Sequence, residues 1–371
     1  MPMPGTPVRR PPPEGGFALL LVLLLSLIML PFAVEFGMQV MLESKTAVNV
    51  TSELQIENEI DGQYEIMLAR LRYDAQENDT DSYFDTWHDE ELRSRKSEET
   101  GVALTTHVFD EQGKFNLRRL ANTNVAEKTK AKERLIRILT EFRRDTDFEL
   151  SRTEAETWAN QIAEWVGKGP TRANIPSPNM KDERSIVILD ELEFLPEVSD
   201  HRFSFLLHDQ AKGDETAAGL HRFVTIYGDG KVNLNTVQEV VLMAFFPRNP
   251  ELAARILERR DNPPEDEDSM SGGDDLDTGN PFTSVEQINE VEGVTAPVLA
   301  DNGIDLNADF TVASGFFSLR IVGDSEHSRR DELFVVERVA GPSPEEPVEG
   351  FRLLLRQERT DTLENVDTSD G

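Results

Sequence analysis

The chain has 371 residues, with 38 Lys and Arg against 70 Asp and Glu, a formal net charge of −32 and no cysteine. That balance excludes a nucleic-acid surface unless a large basic patch reverses it, and none is visible in the sequence. Without thiols there is no disulfide, no thiolate zinc site and no cysteine nucleophile, while 38% hydrophobic residues suffice for two or three folded units.

The first sixteen residues are proline-rich, carry Arg9 and Arg10, and end in Gly15-Gly16. Phe17 then opens an apolar run. Residues 17–34 carry no charge, and eighteen residues make ~27 Å of helix, about one bilayer core. Arg9 and Arg10 predict a cytoplasmic leader and an exported remainder. A cleaved secretory signal would have a shorter apolar core and a small-x-small site, which this run lacks. A signal anchor is the plain reading. The Gly16-Phe17 junction also looks like a type IV prepilin processing site, where cleavage on the cytoplasmic side leaves the helix in the mature protein.

Beyond residue 42 the apolar residues thin to one stripe, Ile56, Ile60, Tyr64, Met67 and Leu71. Spacings of three and four place them on one helix face. One helix from Phe17 to about Leu71 is predicted, kinked at Pro31 and loosened at Gly37.

Further on the sequence repeats itself. Gly113-Lys114-Phe115-Asn116-Leu117 recurs as Gly230-Lys231-Val232-Asn233-Leu234, each after a strand-like run and a tight acidic turn. Leu189, Leu192, Leu195 and Val198 recur as Val285, Ile288, Val291 and Val294, and each copy leads to another strand-like run, 223–227 or 310–313. Short helices fill the space between. Ser151 with Glu154, and Thr236 with Glu239, read as capping boxes. Asn249-Pro250 starts a helix, and Thr295 caps another that Gly303 closes. The Val291-Glu292-Gly293-Val294 turn is of the helix-hairpin-helix kind, but Glu286, Glu290 and Glu292 surround it and Glu197 replaces its glycine in the first copy. A packing module fits that chemistry better than a DNA grip.

Strand patterns return at 311–322, 333–339 and 351–356; with 102–109 they predict one antiparallel sheet with the long helix against it. Residues 261–278 hold eight acids and no base, and 359–371 form an acidic tail; both are expected to be disordered.

Taken together, the two Gly-Lys-x-Asn-Leu boxes, the Phe-first apolar helix and the downstream Ala253, Arg255, Ile256, Leu257 and Arg260 make a chain that resembles the general secretion pathway protein K family, the large minor pseudopilins of bacterial type II secretion. The resemblance runs from Gly16 to about Arg356. It implies an α+β, type IV pilin-like fold, a long N-terminal transmembrane helix on an antiparallel sheet, with a large inserted all-α region of two duplicated SAM-like, helix-hairpin-helix-like units. The implied divisions are a leader (1–16), a membrane part (17–42), a pilin-like head (43–112 and 311–358), a first helical unit (113–227), a second (228–310, with an acidic flexible loop at 261–280) and an acidic tail (359–371).

The family implies cleavage by prepilin peptidase between Gly16 and Phe17, with methylation of the new Phe17 amine. Most pilins carry glutamate at the fifth mature position to pair with the subunit above. Here that position is Leu21, as in K-type subunits, and a subunit with nothing above it has no buried ammonium to neutralise. The inserted helices would also obstruct further stacking. The implied role is the tip of a periplasmic pseudopilus, initiating assembly, with the other minor pseudopilins and the major pseudopilin as partners and the bacterial inner membrane as anchor. No catalytic, cofactor-binding or metal residue is expected. Family members often place a calcium-linked acidic loop after a Trp, but the run after Trp165 is basic (Lys168, Arg172), which argues against calcium there. Elsewhere the Asp274-Asp275-Leu276-Asp277 run and the Gly228-Asp229-Gly230 turn offer carboxylates to calcium as the one possible cofactor, without EF-hand spacing; a solvated acidic loop is the plainer reading.

The six histidines, His88, His107, His201, His208, His221 and His327, have no metal-ligand spacing, although His201 and His208 could share a helix face. No nucleophile elbow, P-loop or dinucleotide fingerprint occurs, so an anchored periplasmic hydrolase lacks any constellation. The alternative of a membrane-anchored helix-hairpin-helix DNA receptor for uptake is opposed by the net charge. The three tryptophans are expected in cores.

Overall fold

The computed structural model describes residues 15–89, 93–168, 186–198, 202–212, 215–262, 279–343 and 346–359. The leader up to residue 14, the acidic run at 263–278 and the tail from 360 lie outside them, as do His201 and the basic residues after Lys168.

Helix α1 (Gly15–Glu77) contains Pro31 and runs past the expected end near Leu71. Its length is roughly 95 Å at 1.5 Å per residue. The predicted stripe is its buried face: Ile56, Ile60, Met67 and Leu71 sit in a core with Tyr64 packed beside them.

That core is completed by a five-stranded antiparallel sheet in the order β1-β2-β9-β10-β11. Its strands are β1 (Ser94–Lys96), β2 (Ala103–Asp110), β9 (Phe316–Asp324), β10 (Arg329–Ser343) and β11 (Glu346–Glu358). Strand β2 alternates strictly, Leu104, Thr106, Val108 and Asp110 inward and the residues between them outward, as the period of two requires. Leu319 and Ile321 of β9 and Phe334 and Val336 of β10 join the same face, and Tyr64 stacks on Phe334 with ring centroids 4.6 Å apart. The helix crosses β9 at Gly323, where an added Cβ would lie 2.5 Å from Ile56 Cγ2.

Three expectations about the strands change. The central strand starts at Phe316, because Thr311 pairs elsewhere. Strands β10 and β11 overrun the apolar runs at both ends, since a long hairpin pairs backbone whatever its side chains, with register shifts at three places. The edge strand β1 reads Ser-Arg-Lys and has no strand pattern; its pairing with 103–105 of β2 makes it a strand.

Between β2 and β9 the chain leaves the sheet and forms the helical insert. Its first part holds β3 (Phe115–Asn116), α2 (Val125–Glu141), α3 (Arg152–Lys168), α4 (Phe203–Leu207), the hairpin β4 (Gln210–Lys212) and β5 (Glu215–Ala217), and β6 (Val224–Thr225). The second holds β7 (Val232–Asn233), α5 (Glu239–Phe245), α6 (Glu251–Asp261), α7 (Ala296–Asp301), α8 (Leu306–Asp309) and β8 (Phe310–Thr311). Each Gly-Lys-x-Asn-Leu box is a short strand in parallel register with the strand ending its own repeat: Phe115 opposite Val224, and Val232 opposite Phe310. The three-residue apolar spacing forms matching 3₁₀ helices, Leu189–Phe194 and Val285–Glu290, whose three residues per turn put every third side chain on one face. Both repeats feed one continuous apolar core, with Trp158 and Trp165 inside it; Trp87 is in the sheet core.

The cap at Ser151 forms, its hydroxyl 2.6 Å from Glu154 Oε2 and its amide 3.0 Å from the same oxygen. Gly303, at φ +68, closes α7 with Gly303 N–H to Ala300 O and Ile304 N–H to Leu299 O, a Schellman pattern. Thr236 is not a cap. Helix α5 starts after Gln238, and the Thr236 hydroxyl points instead at a buried carboxylate of the head.

Candidate assembly site

The part of the molecule with the plainest unmet physical demand is the first half of α1. Every residue from 17 to 51 is exposed. Phe17 and Leu21, one helical turn apart, are 76% and 50% exposed, and Gly16 lies in the first turn of the helix. This is one helix long and apolar enough to cross a membrane. Its lone hydroxyl in the uncharged run, Ser26, bonds back to Val22 O at 2.8 Å, which leaves no unsatisfied side-chain donor there.

The second demand is mechanical. The insert leaves the sheet through two chain passages and is held by a buried polar knot. Asp110, at the end of β2, accepts through Oδ2 from Asn233 Nδ2 (2.9 Å), Thr236 Oγ1 (2.5 Å) and Ser314 Oγ (2.5 Å), and through Oδ1 from Gln112 N–H (2.7 Å). Burial still pushes its carboxyl up to about 6. The next residue, Glu111, faces the other repeat: it accepts from Lys114 Nζ (2.6 Å), Thr225 Oγ1 (2.5 Å) and Ser318 Oγ (2.6 Å). Burial opposes its ionisation, but Lys114 and the hydroxyls outweigh burial and hold its carboxyl below the usual range. Asp81, just past α1, takes Arg338 Nη2 at 2.7 Å and Ser314 N–H at 2.7 Å. Helix, sheet and both repeats therefore meet at one set of satisfied carboxylates. In sequence the turn Asp110-Glu111-Gln112 reads only as acidic; the signal that could have found the knot is two acids between a strand and a box whose Asn repeats.

A second buried tie joins the repeats. Asp309 in α8 accepts from Arg134 of α2 in a two-point pairing (2.7 and 2.9 Å) and from Arg119. Arg119 also reaches Gly230 O at 3.2 Å, and the Arg134 guanidinium lies 3.9 Å above the Phe245 ring.

Little of this is arranged for chemistry. Burial lowers His221 to about 4, and burial with Arg93 does the same to His88, so both are neutral at pH 7. His208 follows α4 in extended backbone and meets Glu193 at 2.6 Å; His201, with which it could have shared a helix face, lies outside the described residues. Among the described residues no group of three or more His, Asp and Glu could hold a metal ion. The acidic run 274–277 and residues 169–172, with Arg172, lie outside them.

No family model matches the chain, and no curated protein matches it. Among solved structures it is similar to a chain of the crystal structure of the GspK-GspI-GspJ complex from the enterotoxigenic Escherichia coli Type 2 Secretion System. The TM-score is 0.52 at 17% sequence identity, over 83% of this chain and 97% of that one. At that identity the likeness is one of fold. The fold is GspK-like: a long N-terminal helix on an antiparallel five-stranded sheet, pilin-like in form, with a helical insert between two of its strands.

Proposed function

We propose that this chain is a minor pseudopilin of a bacterial type II secretion system, the tip subunit of the periplasmic pseudopilus, which initiates assembly by docking and performs no reaction. The observation that carries this reading is the pairing of an unpartnered apolar half-helix with a GspK-like head. A membrane and later a filament would cover the first, and the second resembles a chain solved in complex with its minor-pseudopilin counterparts. The chain would sit once across the inner membrane with its head in the periplasm, against partners equivalent to GspI and GspJ and the major pseudopilin. The insert reads as two copies of one SAM-like unit, supported by the matching box-to-strand pairings and 3₁₀ helices.

Gly16 and Phe17 mark the processing site, and Leu21 the position that needs no partner above it. Intact-mass measurement of the membrane-extracted protein, with and without prepilin peptidase, tests this. A methylated Phe17 terminus, lost in Gly16→Trp, is the expected outcome, and Leu21→Glu should be processed normally. An uncut Met1 terminus in the presence of the peptidase overturns it.

A further inference from the structure

Where the insert folds back over the outer face of the sheet it leaves a cleft of about 400 Å³, within the usual range of about 300–1,000 Å³ for ligand sites. The strand registers lay out its floor. Phe109 of β2, Ser318 of β9, Val335 of β10 and Leu355 of β11 stand side by side in one row across the sheet, and a second row runs from His107 to Gln357. The face of a sheet turned from its core is commonly polar and wet, yet Val335 is only 2% exposed. Val224, Ile226 and Tyr227, at the end of the first repeat, line the cleft from the insert side, so both of its walls are largely apolar.

Two ties pin the insert to the floor. Glu111 accepts from Ser318 Oγ of the sheet (2.6 Å) and from Thr225 Oγ1 of the insert (2.5 Å). Gln357 Nε2 of β11 donates to Asp190 Oδ2 of the first 3₁₀ helix at 2.7 Å. Ser318 and Gln357 lie two strands apart, roughly 10 Å across the sheet. A cavity pinned over β9 and again over β11 fits a compact guest better than a through-running chain. Charge then selects among compact guests. Lys114 is paired with Glu111 at 2.6 Å, Arg222 with Asp209 at 2.5 Å and Arg320 with Asp331 at 2.5 Å. Asp190, the remaining acid of the lining, holds the Gln357 amide. Burial, the largest cause in each case, keeps His107 and His221 uncharged at pH 7, with His221 lowered to about 4. An ionic guest would surrender its hydration and meet counter-charges already matched, whereas an apolar one gains by leaving water.

We infer that this cleft is a binding site for an uncharged, largely apolar small molecule. The inference rests on the folded head and is independent of processing and membrane insertion. The test uses the full chain in lipid nanodiscs and an uncharged aryl trifluoromethyl diazirine as photoreactive probe, with labelled residues mapped by peptide mass spectrometry. Two analogues carry a carboxylate or an aminomethyl group on the same ring. The membrane segment 17–42 labels in proportion to probe concentration and serves as the reference. Labelling of residues 224–227 and 333–335 by the neutral probe saturates, and each charged analogue gives at least tenfold less there. Leu355→Trp, which fills the floor, cuts the saturable labelling at least tenfold, and so does Phe109→Asp, which sets an unmatched carboxylate beside it. Phe109 is 39% exposed, so the second change leaves the thermal transition in place. Cleft labelling that never saturates, equal labelling by the charged analogues, or indifference to both substitutions overturns the inference. So does saturable labelling that appears only after residues 360–371 are removed, which would give the cleft to the chain's own tail, or self-association abolished by Leu355→Trp, which would give it to a second copy. A chain processed at Gly16-Phe17 whose cleft takes no probe loses only this site; one that binds the probe but is never processed loses only the pseudopilin reading.

Discussion

The two Gly-Lys-x-Asn-Leu boxes share a sequence and a backbone but hold different things together. In each, the Asn carbonyl accepts the amide two residues on, Arg118 N–H in the first box and Asn235 N–H in the second. The amide nitrogens diverge. Asn116 Nδ2 donates to Tyr227 O and Gly228 O, closing its own repeat. Asn233 Nδ2 donates to Asp81 O, Asp110 Oδ2 and Ser314 Oγ, all of them in the head. The ends of the repeats differ in the same sense. By the strand registers Phe223 of the first corresponds to Asp309 of the second; one fills the core and the other is the salt-bridged tie to α2. Both boxes have the same closing strand pair, but the second is also welded to the rest of the molecule.

The sharpest way to break that asymmetry is Asp309→Ala, which leaves Arg119 and Arg134 without their buried carboxylate. A loss of about 3–5 kcal/mol is expected, read as the shift in urea midpoint of the head; Phe223→Leu, at the corresponding place, should cost about 1 kcal/mol. Next in size is Asn233→Ala, which removes one donor from three buried acceptors and should cost about 2–3 kcal/mol, against about 1 kcal/mol for Asn116→Ala. Equal losses in that pair would mean that the two boxes do the same work.

Smaller is the exchange of turn residues. Gly293 has φ +91, and a Cβ there would lie 3.0 Å from Leu252 Cδ2. Gly293→Glu, which installs the first copy's residue, should cost about 2 kcal/mol, whereas Glu197→Gly should be nearly silent in the same melts.

A dependence on pH tests the head side of the weld. Burial, with Asp85 nearby, raises Asp74 from 3.8 to about 7. A raised carboxyl favours the fold while protonated, so its contribution is whole below pH 3.8 and is lost as pH climbs through about 7. His88 and His221, lowered from 6.5 to about 4, act oppositely: they make stability rise from pH 4 to 6.5. Asp74→Asn removes the falling component. Its thermal midpoint relative to the parent should therefore be higher at pH 7 than at pH 4.5, and a difference that does not grow with pH would show that Asp74 is ionised in the fold.

Much of this architecture was legible because it follows from local pattern. The α1 stripe needs only the helical period, and the strict alternation of β2 needs only the pleat. The Ser151–Glu154 cap and the Gly303 terminus are set by neighbours three or five residues away. Thr236 failed as a cap because a buried carboxylate 126 residues away in sequence outcompetes a helix amide, and β1 was invisible because its three residues carry no apolar signal. The processing site proposed at Gly16 and Phe17 was read from their order in the chain, where the geometry of the head adds nothing.

By itself, then, the sequence determined the membrane-length helix, its buried stripe, four of the five sheet strands and the recurrence of the Gly-Lys-x-Asn-Leu box, because periodicity and composition are written in neighbouring residues. Tertiary structure alone decided what the copies do. Asp110 meets Asn233, Asp309 meets Arg134, and the cleft opens under the insert only after chain segments separated by a hundred residues or more are brought together. A buried carboxylate is costly enough that its partners are fixed by which donors the fold delivers, and that delivery is a property of packing, beyond the reach of any local run of residues.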